Sequence, residues 1–309
     1  MVLTLTNLPL VSVVIPTYKR PEWLSRAINS VLKQTYPNVE VIVVDDNDPY
    51  TDGRRSTEEI MTLYAGNSQV KYIKHEHNMN GAVARNTGVR HSKAKYIALL
   101  DDDDEFLPNK IQAQVEVLEN RSSEWGACYS MAYLKKENGP YLPLKENREG
   151  SLYLESLARE LCLLAGSNLL VRKDVWDEVG GFTENFKRNQ DLEFTARVLK
   201  KYKLAYSPEP GLIVYIHTEK RNVSFLDVDK QYYELFRDQI ESLSKDDRKK
   251  FERIFKRDMF FHALRSDKNF KYCFSEYFHH NVPWISTIGY VIKKAWESLF
   301  PINTLDKIK

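Results

Sequence analysis

The amino-acid sequence predicts an α/β protein in which a mostly parallel sheet is flanked by helices and followed by a C-terminal helical extension. In the first third of the chain, short β-branched runs alternate with segments of helical periodicity, which is the pattern of successive βαβ units. Three of the four strands predicted there end in polar segments. Beyond Ser224 the sequence shows no strand pattern, and helices are predicted to Lys309.

The predicted elements follow one another with short connections. Four strands are predicted over residues 11–15, 39–45, 70–74 and 96–100. The helices between them are predicted over 21–32, from the turn-rich segment 47–53 to 65, and over 81–92. Helices over 109–119, 151–163, 174–179 and 190–201 and strands over 126–134, 169–172 and 212–216 follow, with a hairpin or exposed loop over 135–150.

The composition is that of an ordinary globular protein. The chain has 309 residues, 42% of them apolar and 28% charged, which suits one large domain or one domain with a helical appendage. The formal net charge of +2 gives no global field that would favour nucleic acid as a partner. Cys128, Cys162 and Cys273 are scattered without metal-binding spacing and are predicted to be reduced thiols.

The sequence also predicts a cytoplasmic protein. Residues 1–10 lack the basic region and long apolar core of a signal peptide, and no run approaches the roughly eighteen apolar residues that span a bilayer. Residues 284–300 form an amphipathic pattern with Trp, Ile, Val, Leu and Phe on one helical face. This helix is predicted to pack on the catalytic part or on a second copy of the chain in a homo-oligomer, or to lie peripherally on the inner face of the membrane.

Four consecutive carboxylates, Asp101 to Asp104, directly follow the fourth predicted strand. Like charges packed together are costly unless a cation neutralises them, and hard oxygen ligands suit Mg²⁺ or Mn²⁺ shared with substrate phosphates. The alternative is a solvated acidic loop that caps the next helix. The Gly and Glu positions of a calcium-binding helix-loop-helix are absent from this segment.

A second acidic pair, Asp45 and Asp46, ends the second predicted strand. Ligands bind at the carboxyl ends of the strands in such sheets, so this pair suits a contact with a ribose or a base. A helix N-cap is the alternative. The sequence has neither of the glycine-rich loops that cradle phosphates in dinucleotide-binding and P-loop proteins. A diphosphate would therefore be held by a metal and by side chains.

Four segments together resemble glycosyltransferase family 2, whose members have the GT-A fold. They are Val11-Ser-Val-Val-Ile-Pro-Thr-Tyr-Lys-Arg20, Val43-Val-Asp-Asp46, Gly81-Ala-Val-Ala-Arg-Asn-Thr-Gly88 and Tyr96-Ile-Ala-Leu-Leu-Asp-Asp-Asp-Asp104. Their order and spacing match over roughly residues 10 to 220. The resemblance implies a catalytic domain over 1–224, with a nucleotide-sugar half over about 10–104 and an acceptor half over about 105–224, followed by the helical extension 225–309.

The resemblance also implies which residues bind a nucleotide-sugar donor. Thr17 and Tyr18 would lie against the nucleotide, Asp46 would accept a hydrogen bond from the base, and Arg85 would face the phosphate or the sugar. Asp101 and Asp102 would lie near the ribose and the donor sugar. The full implied donor-binding set is Pro16, Thr17, Tyr18, Arg20, Asp46, Arg85, Asp101, Asp102 and Asp103. The metal, Mn²⁺ or Mg²⁺, would be held by Asp103, with His217 either a second ligand or a structural histidine.

The resemblance places the catalytic base at Asp191, in the segment Arg188-Asn-Gln-Asp-Leu-Glu-Phe-Thr-Ala-Arg197. The family commonly has Glu-Asp here, and this chain has Gln190 before the aspartate. Without the resemblance, Asp191 is more typical of a first-turn acid that the helix dipole favours than of a catalytic base. Gly166-Ser-Asn168 and Val179-Gly-Gly-Phe182 resemble the family's segments near the donor sugar and acceptor.

The implied activity is an inverting transfer of a sugar from a nucleotide diphosphate sugar. The donor would be a UDP-hexose or UDP-N-acetylhexosamine, and the acceptor a hydroxyl of a glycan or a lipid-linked glycan, in bacterial surface polysaccharide synthesis. The alternatives are a catalytically silent nucleotide-sugar-binding or assembly protein and a sugar nucleotidyltransferase. A nucleotidyltransferase usually has a glycine-rich phosphate loop after the first strand, whereas residues 16–21 contain no glycine.

Overall fold

The computed structural model describes residues 8–136, 139–186, 188–217 and 224–263. Contacts within the chain divide it into two compact units, Met1–Lys220 and Arg221–Lys309. The first unit contains the sheet and the residues singled out by the sequence. The division after Lys220 lies four residues before the domain boundary predicted at 224. That the two units are separate domains stays a prediction.

The first unit contains nine strands and eight helices within its described residues. The strands are β1 (Val11–Thr17), β2 (Val39–Asp45), β3 (Val70–Lys74), β4 (Tyr96–Leu99), β5 (Glu105–Phe106), β6 (Trp125–Lys136), β7 (Tyr141–Pro143), β8 (Leu170–Arg172) and β9 (Lys203–Ile216). The helices are α1 (Pro21–Leu32), α2 (Asp52–Thr62), α3 (Gly81–Arg90), α4 (Lys110–Glu119), α5 (Tyr153–Leu157), α6 (Ala165–Asn168), α7 (Lys173–Val179) and α8 (Gln190–Lys201).

The strands form one sheet in the order β3-β2-β1-β4-β8-β6-β9-β5, with β7 paired to β6. The pairs β1–β2, β2–β3, β1–β4 and β6–β9 are parallel. The short strand β8 is antiparallel to both β4 and β6, and it thereby joins two parallel halves that point the same way. The predicted α/β class with a mostly parallel sheet is confirmed.

Both faces of the sheet are buried, as the nearly continuous apolar runs of its strands predict. Side chains of β1 alternate between two apolar clusters: Val13 and Ile15 pack in one, and Val14 packs in the other. The first cluster includes Leu24 and Ile28 of α1. The second contains apolar side chains of α3, α7 and α8. Helices packed on both faces thus support a sheet in which the carboxyl ends of β1, β2 and β4 lie side by side at one edge.

Three features differ from the sequence-based elements. The predicted helix 151–163 is wrong, because only α5 is helical and Arg159 then adopts a positive φ of 60°. Strand β9 is 14 residues long, whereas only its end was expected; Pro208, Pro210 and Gly211 break the strand pattern. Register shifts in its pairing with β6, on both sides of Met131, accommodate this irregular segment. The two-residue β5 and the four-residue α6 were not predicted.

The second unit is helical over its described residues, as predicted. It contains α9 (Phe225–Leu235), α10 (Arg237–Glu241) and α11 (Lys245–Phe261). Aromatic side chains of α9 and α11 pack together, with the rings of Tyr232 and Phe255 6.0 Å apart. The amphipathic segment 284–300 lies outside the described residues. Among the helices that the structure describes, none is long and apolar enough to cross a membrane.

Candidate active site

The predicted site residues of the first part of the chain come from three adjacent strands. Strands β2, β1 and β4 are parallel neighbours, so their carboxyl ends lie at the same edge of the sheet. Thr17 is the last residue of β1, and Asp46 and Asp101 follow β2 and β4. The backbone N–H of Asp46 donates to the Thr17 carbonyl at 2.9 Å. Pro16 is the last but one residue of β1, and the half-exposed Tyr18 directly follows the strand. The sheet therefore brings these polar strand ends together.

The segment Asp101–Asp104, here called the aspartate turn, is mostly buried. Asp102 is fully buried and Asp103 and Asp104 are 7% and 4% exposed, whereas the side chain of Asp101 is 33% exposed. Arginines from two other elements neutralise the turn. The Arg20 guanidinium pairs with Asp102, Nη2 to Oδ1 2.6 Å, and with the Asp103 carboxylate. Arg85 of α3 pairs with the Asp101 carboxylate.

One member of the turn is engaged by the fold itself. The Ser167 hydroxyl of α6 donates to Asp104 Oδ2 at 2.5 Å, and the Tyr215 N–H donates to Oδ1 at 3.2 Å. The same Ser167 oxygen accepts the Asp101 N–H at 3.0 Å. Both oxygens of Asp104 thus have partners from α6 and β9. The carboxylates of Asp101, Asp102 and Asp103 instead pair with arginine side chains, and of these three Asp102 is fully buried.

Burial disfavours the ionised form of the carboxyl groups in the aspartate turn. It raises the pKa of Asp102 to about 7, against the opposing effect of Arg20. The pKa values of Asp103 and Asp104 are also raised, in both cases mainly by burial. A cation at the turn would favour the ionised carboxylates, because it offsets the cost of burying their charge.

The donor set fits a divalent cation. One carboxylate oxygen each from Asp101, Asp103 and Asp104 can lie within 4.8 Å of the others. His217 Nε2 is 3.6 Å from Asp103 Oδ2, and within the described residues this buried nitrogen has no hydrogen-bond partner. The imidazole stacks on Trp23, with ring centroids 4.0 Å apart. Carboxylate oxygens with one imidazole suit Mn²⁺ or Mg²⁺. The two residues that the resemblance assigns to the metal, Asp103 and His217, lie near each other, and their role as ligands stays a prediction.

The carboxylate at the end of β2 has uncharged backbone and amide partners and one histidine. Asp46 Oδ1 contacts His75 Nδ1 at 2.7 Å and accepts the Met79 N–H at 2.8 Å. Oδ2 accepts the Asn78 amide at 2.9 Å. A carboxylate has about four lone-pair sites, so one site on Oδ2 stays open for a further donor. The His75 ring is held on its other side by Thr87, Nε2 to Oγ1 3.0 Å.

The preceding residue, Asp45, is structural. It is fully buried, and its Oδ1 accepts the backbone N–H of Asn47 at 2.9 Å and the Asn47 side-chain amide at 2.7 Å. Its Oδ2 accepts the Tyr72 hydroxyl at 2.5 Å. Asp45 therefore fixes the loop after β2, while Asp46 keeps an open acceptor position.

Asp191 lies in the first turn of α8 and is half-buried. Burial raises the pKa of its carboxyl group, Arg85 lowers this pKa, and Asp101 raises it. The aspartate turn, Arg85 and Asp191 therefore share one electrostatic environment. Gln190, which replaces the family's common Glu, donates its amide to the Phe186 carbonyl at 2.9 Å. An ionised carboxylate at this position could not donate this bond.

The loop before α8 is held from both sides. Asn86 of α3 makes two bonds of 2.9 Å with the backbone of Phe182. From α8, the Arg197 guanidinium donates to the Gly181 carbonyl at 2.6 Å. Gly181 has a φ of 67°, and a Cβ there would lie 2.7 Å from the Asn86 amide oxygen. Both glycines are therefore favoured by a positive φ, and at Gly181 close packing against Asn86 also excludes a side chain.

The sequence did not identify three residues that hold this site. Ser167 belongs to the segment Gly166-Ser-Asn168, which only the resemblance marks, and the sequence analysis assigns no site role to His75 or Trp23. His75 directly follows β3, so the strand-end argument applied to β1, β2 and β4 could have found it. Ser167 and Trp23 meet their partners across long sequence separations, and no local pattern marks them.

Relatives identify the family. The model of glycosyl transferase family 2 matches residues 12–180. An uncharacterized glycosyltransferase from Rickettsia bellii is 31% identical over 199 residues, which is 63% of this chain but only 28% of that protein. The putative teichuronic acid biosynthesis glycosyltransferase TuaG from Bacillus subtilis is 28% identical over 211 residues, covering 67% of this chain and 79% of TuaG.

Solved structures show the same fold. S. aureus TarS 1–349 in complex with UDP-GlcNAc aligns with a TM-score of 0.63 at 18% identity, covering 92% of this chain and 81% of TarS 1–349. This likeness supports the GT-A type of α/β architecture, with a mostly parallel sheet between helices. The family model covers more than half of the sequence, and its matched residues include β1, the aspartate turn and α6. The chain belongs to glycosyl transferase family 2.

Proposed function

We propose that this protein transfers a sugar from a nucleotide diphosphate sugar to a hydroxyl of a glycan or lipid-linked glycan, with inversion at the anomeric carbon. The observation that carries the proposal is the placing of Asp191 in the same electrostatic environment as Arg85 and the aspartate turn. A donor diphosphate and an acceptor hydroxyl would meet between these groups. A UDP-hexose or UDP-N-acetylhexosamine is the proposed donor, since TarS 1–349 was solved with UDP-GlcNAc.

The strand ends supply the nucleotide site. The open acceptor position of Asp46 would take an N–H of the base, and Thr17 and Tyr18 would lie against the nucleotide. Arg20 and Arg85, both near the aspartate turn, would face the diphosphate and the sugar. Guanidinium groups suit this task because their fork of N–H donors matches phosphate oxygens.

A divalent cation, Mn²⁺ or Mg²⁺, held by Asp101, Asp103 and His217 would stabilise negative charge on the diphosphate as it leaves. The protein's own part is to keep these ligands in place. Trp23 stacks on the His217 ring, and Ser167 fixes the backbone of Asp101. Asp102 would lie near the ribose and the donor sugar.

Asp191 is proposed as the general base. Its carboxylate takes the proton of the acceptor hydroxyl while that oxygen attacks the anomeric carbon, and the bond from this carbon to the diphosphate oxygen breaks. Attack from the face opposite the leaving group inverts the configuration, as in other single displacements at a sugar carbon. Burial raises the pKa of the Asp191 carboxyl group, which makes its carboxylate a stronger proton acceptor.

The acceptor is proposed to be a bacterial surface polysaccharide or its lipid-linked precursor. The support is the similarity to TuaG, a putative teichuronic acid biosynthesis glycosyltransferase.

The first experiment is a panel of nucleotide sugars, each with and without Mn²⁺, scored by thermal stabilisation and then by transfer or donor hydrolysis. One donor is expected to stabilise the protein more strongly when the metal is present, since ligands stabilise by binding the folded state. With that donor, Asp191→Asn is expected to lower turnover about 100- to 10,000-fold, the usual range for loss of a general base, while donor binding persists.

A matched control separates a base from a helix-capping acid. Asp174 is likewise a first-turn aspartate, in α7, and its carboxylate accepts the Val175 N–H at 2.8 Å. Asp174→Asn is expected to leave turnover intact. Near-normal turnover of Asp191→Asn would refute the base assignment, and stabilisation by no donor in the panel would refute the proposed donor class.

A further inference from the structure

The aspartate turn contains an internal competitor for a cation. Arg20 pairs with the carboxylates of Asp102 and Asp103, and the charges of all four aspartates raise the pKa of its guanidinium. Asp103 is also the carboxylate nearest His217 Nε2. The guanidinium thus lies on the carboxylate to which the proposed function assigns the metal.

The backbone conformation before Arg20 directs its side chain to this position. The preceding residue, Lys19, has a φ of 59°, which is unfavourable for a residue with a side chain. Its N–H donates to the Asn47 side-chain oxygen at 2.8 Å, and Asn47 is in turn held by Asp45. Backbone strain of this kind persists only where the surroundings enforce it, and it often accompanies function. The loop after β1 therefore directs Arg20 onto the aspartate turn.

The other arginines near the turn do not compete in the same way. Arg26 of α1 donates to the backbone carbonyl of Asp103 and stacks on Tyr215, 3.8 Å from the ring centroid. Arg85 pairs with Asp101, not with Asp103. Among the described residues, Arg20 is the arginine whose ion pairs include the Asp103 carboxylate.

We propose that Arg20 is a resident counter-ion of the metal site, which the divalent cation must displace from Asp103 and which the donor diphosphate draws toward itself. Without a donor, Arg20 stabilises the buried carboxylates and weakens metal binding. With a donor, the diphosphate offers the guanidinium new oxygen partners, and Asp103 becomes free for the cation. Metal and nucleotide therefore bind with positive coupling, and this coupling is reciprocal. The inference rests on the proposed function, because it assumes a metal and a nucleotide diphosphate at this site.

The experiment compares the wild type with Arg20→Met, with Mn²⁺ and UDP as probes. Free Mn²⁺ is measured by electron paramagnetic resonance, with and without UDP, and UDP affinity is measured by calorimetry. In the wild type, UDP is expected to tighten Mn²⁺ binding about tenfold, within the usual range of such couplings. In Arg20→Met, Mn²⁺ alone is expected to bind several-fold more tightly, whereas UDP alone binds more weakly and the coupling is reduced.

Arg26→Met is the matched control, since it removes a positive charge near the same turn without freeing a carboxylate. It is expected to change Mn²⁺ affinity by less than Arg20→Met. Arg20→Gln is the second variant and guards against poor folding of the first; each is checked by its thermal unfolding transition.

Three results would count against the proposal or its basis. If Arg20→Met and Arg20→Gln bind Mn²⁺ no more tightly than the wild type, Arg20 does not compete with the cation. If Arg26→Met tightens Mn²⁺ binding equally, the effect is a general field, and the specific displacement is refuted. If the wild type binds neither Mn²⁺ nor UDP, the proposed donor and metal site itself is wrong, which is a different failure.

Discussion

The carboxylates at the ends of β2 and β4 lie at the same edge of the sheet but are stabilised in different ways. Asp46 is fixed by His75, by the Asn78 amide and by a backbone N–H. Asp101 and Asp103 pair instead with the guanidinium groups of Arg85 and Arg20. Donors on the adjacent loop and a histidine ring that Thr87 holds keep the Asp46 carboxylate in a fixed position, whereas flexible arginine side chains can exchange one anion for another. The first arrangement suits recognition of a base, and the second suits a diphosphate and its cation.

Among the substitutions that test this difference, Asp103→Asn is expected to have the largest effect on ligand affinity. The substitution removes a carboxylate that pairs with Arg20 and lies near His217. Metal sites depend on the charge and number of their oxygen ligands, so Mn²⁺ affinity should fall by about 100-fold or more. UDP binding without metal should persist. Electron paramagnetic resonance of free Mn²⁺ measures the first quantity, and calorimetry with UDP measures the second.

Asp104→Asn is the control for that substitution. Each of its carboxylate oxygens is already held by the fold, through Ser167 and the Tyr215 N–H, and the proposed function does not assign the metal to it, so the loss of Mn²⁺ affinity should be much smaller. If Asp104→Asn abolished Mn²⁺ binding while Asp103→Asn did not, the metal ligand would lie one position further along the turn than we assign.

An intermediate effect is expected from His75→Ala, which tests the end of β2. Loss of one hydrogen bond to the Asp46 carboxylate typically costs about 1.5 kcal/mol, so UDP should bind about tenfold more weakly. Mn²⁺ affinity in the absence of UDP should be unchanged. This pattern is the opposite of that expected for Asp103→Asn, and titrations with each probe distinguish the two.

His91→Ala is the matched control for His75. The exposed His91 bonds only to the Thr87 carbonyl of its own helix among its described contacts, at 2.9 Å, so neither affinity should change. An equal loss of UDP affinity in both variants would indicate a disturbance of α3 and not a weakened Asp46.

The smallest effect is expected from Lys110→Met, which tests the support beneath the aspartate turn. Lys110 is fully buried and donates to Gln114 at 2.5 Å and to the Asn168 carbonyl at 2.9 Å. Burial lowers its pKa from 10.5 to about 7. The folded state therefore disfavours the charged form, and the contribution of Lys110 to stability falls as pH drops from about 10.5 to about 7.

The variant lacks this titration. We therefore compare the melting temperature of Lys110→Met with that of the wild type at each pH. The difference, variant minus wild type, should be larger at pH 7 than at pH 10, by about 2 to 4 °C for each kcal/mol of change in the free energy of unfolding. Thermal unfolding in buffers across this range measures the difference. A difference between the two proteins that does not depend on pH would show that Lys110 keeps an ordinary pKa in the folded state.

Local sequence determined the first third of the chain, which consists of βαβ units. The strands and helices from β1 to β4 lie within a few residues of their predicted bounds, because period and turn residues act over short separations. The same reasoning placed Asp46 and Asp101 at one edge, since parallel neighbours end together. In β9 the local pattern was insufficient, because pairing with β6 imposed strand geometry on a segment containing Pro208 and Pro210.

The resemblance to a family, read from the sequence alone, named the residues of the candidate site; the roles assigned to them stay predictions. Only the tertiary structure decided how they are paired: that Arg20 lies on Asp103, that Ser167 engages Asp104, and that His75 holds Asp46. These contacts join residues 29 to 83 positions apart in the sequence. Such pairings depend on how helices and strands pack, which no local pattern encodes, whereas the strands themselves follow from the short-range alternation of apolar and polar side chains.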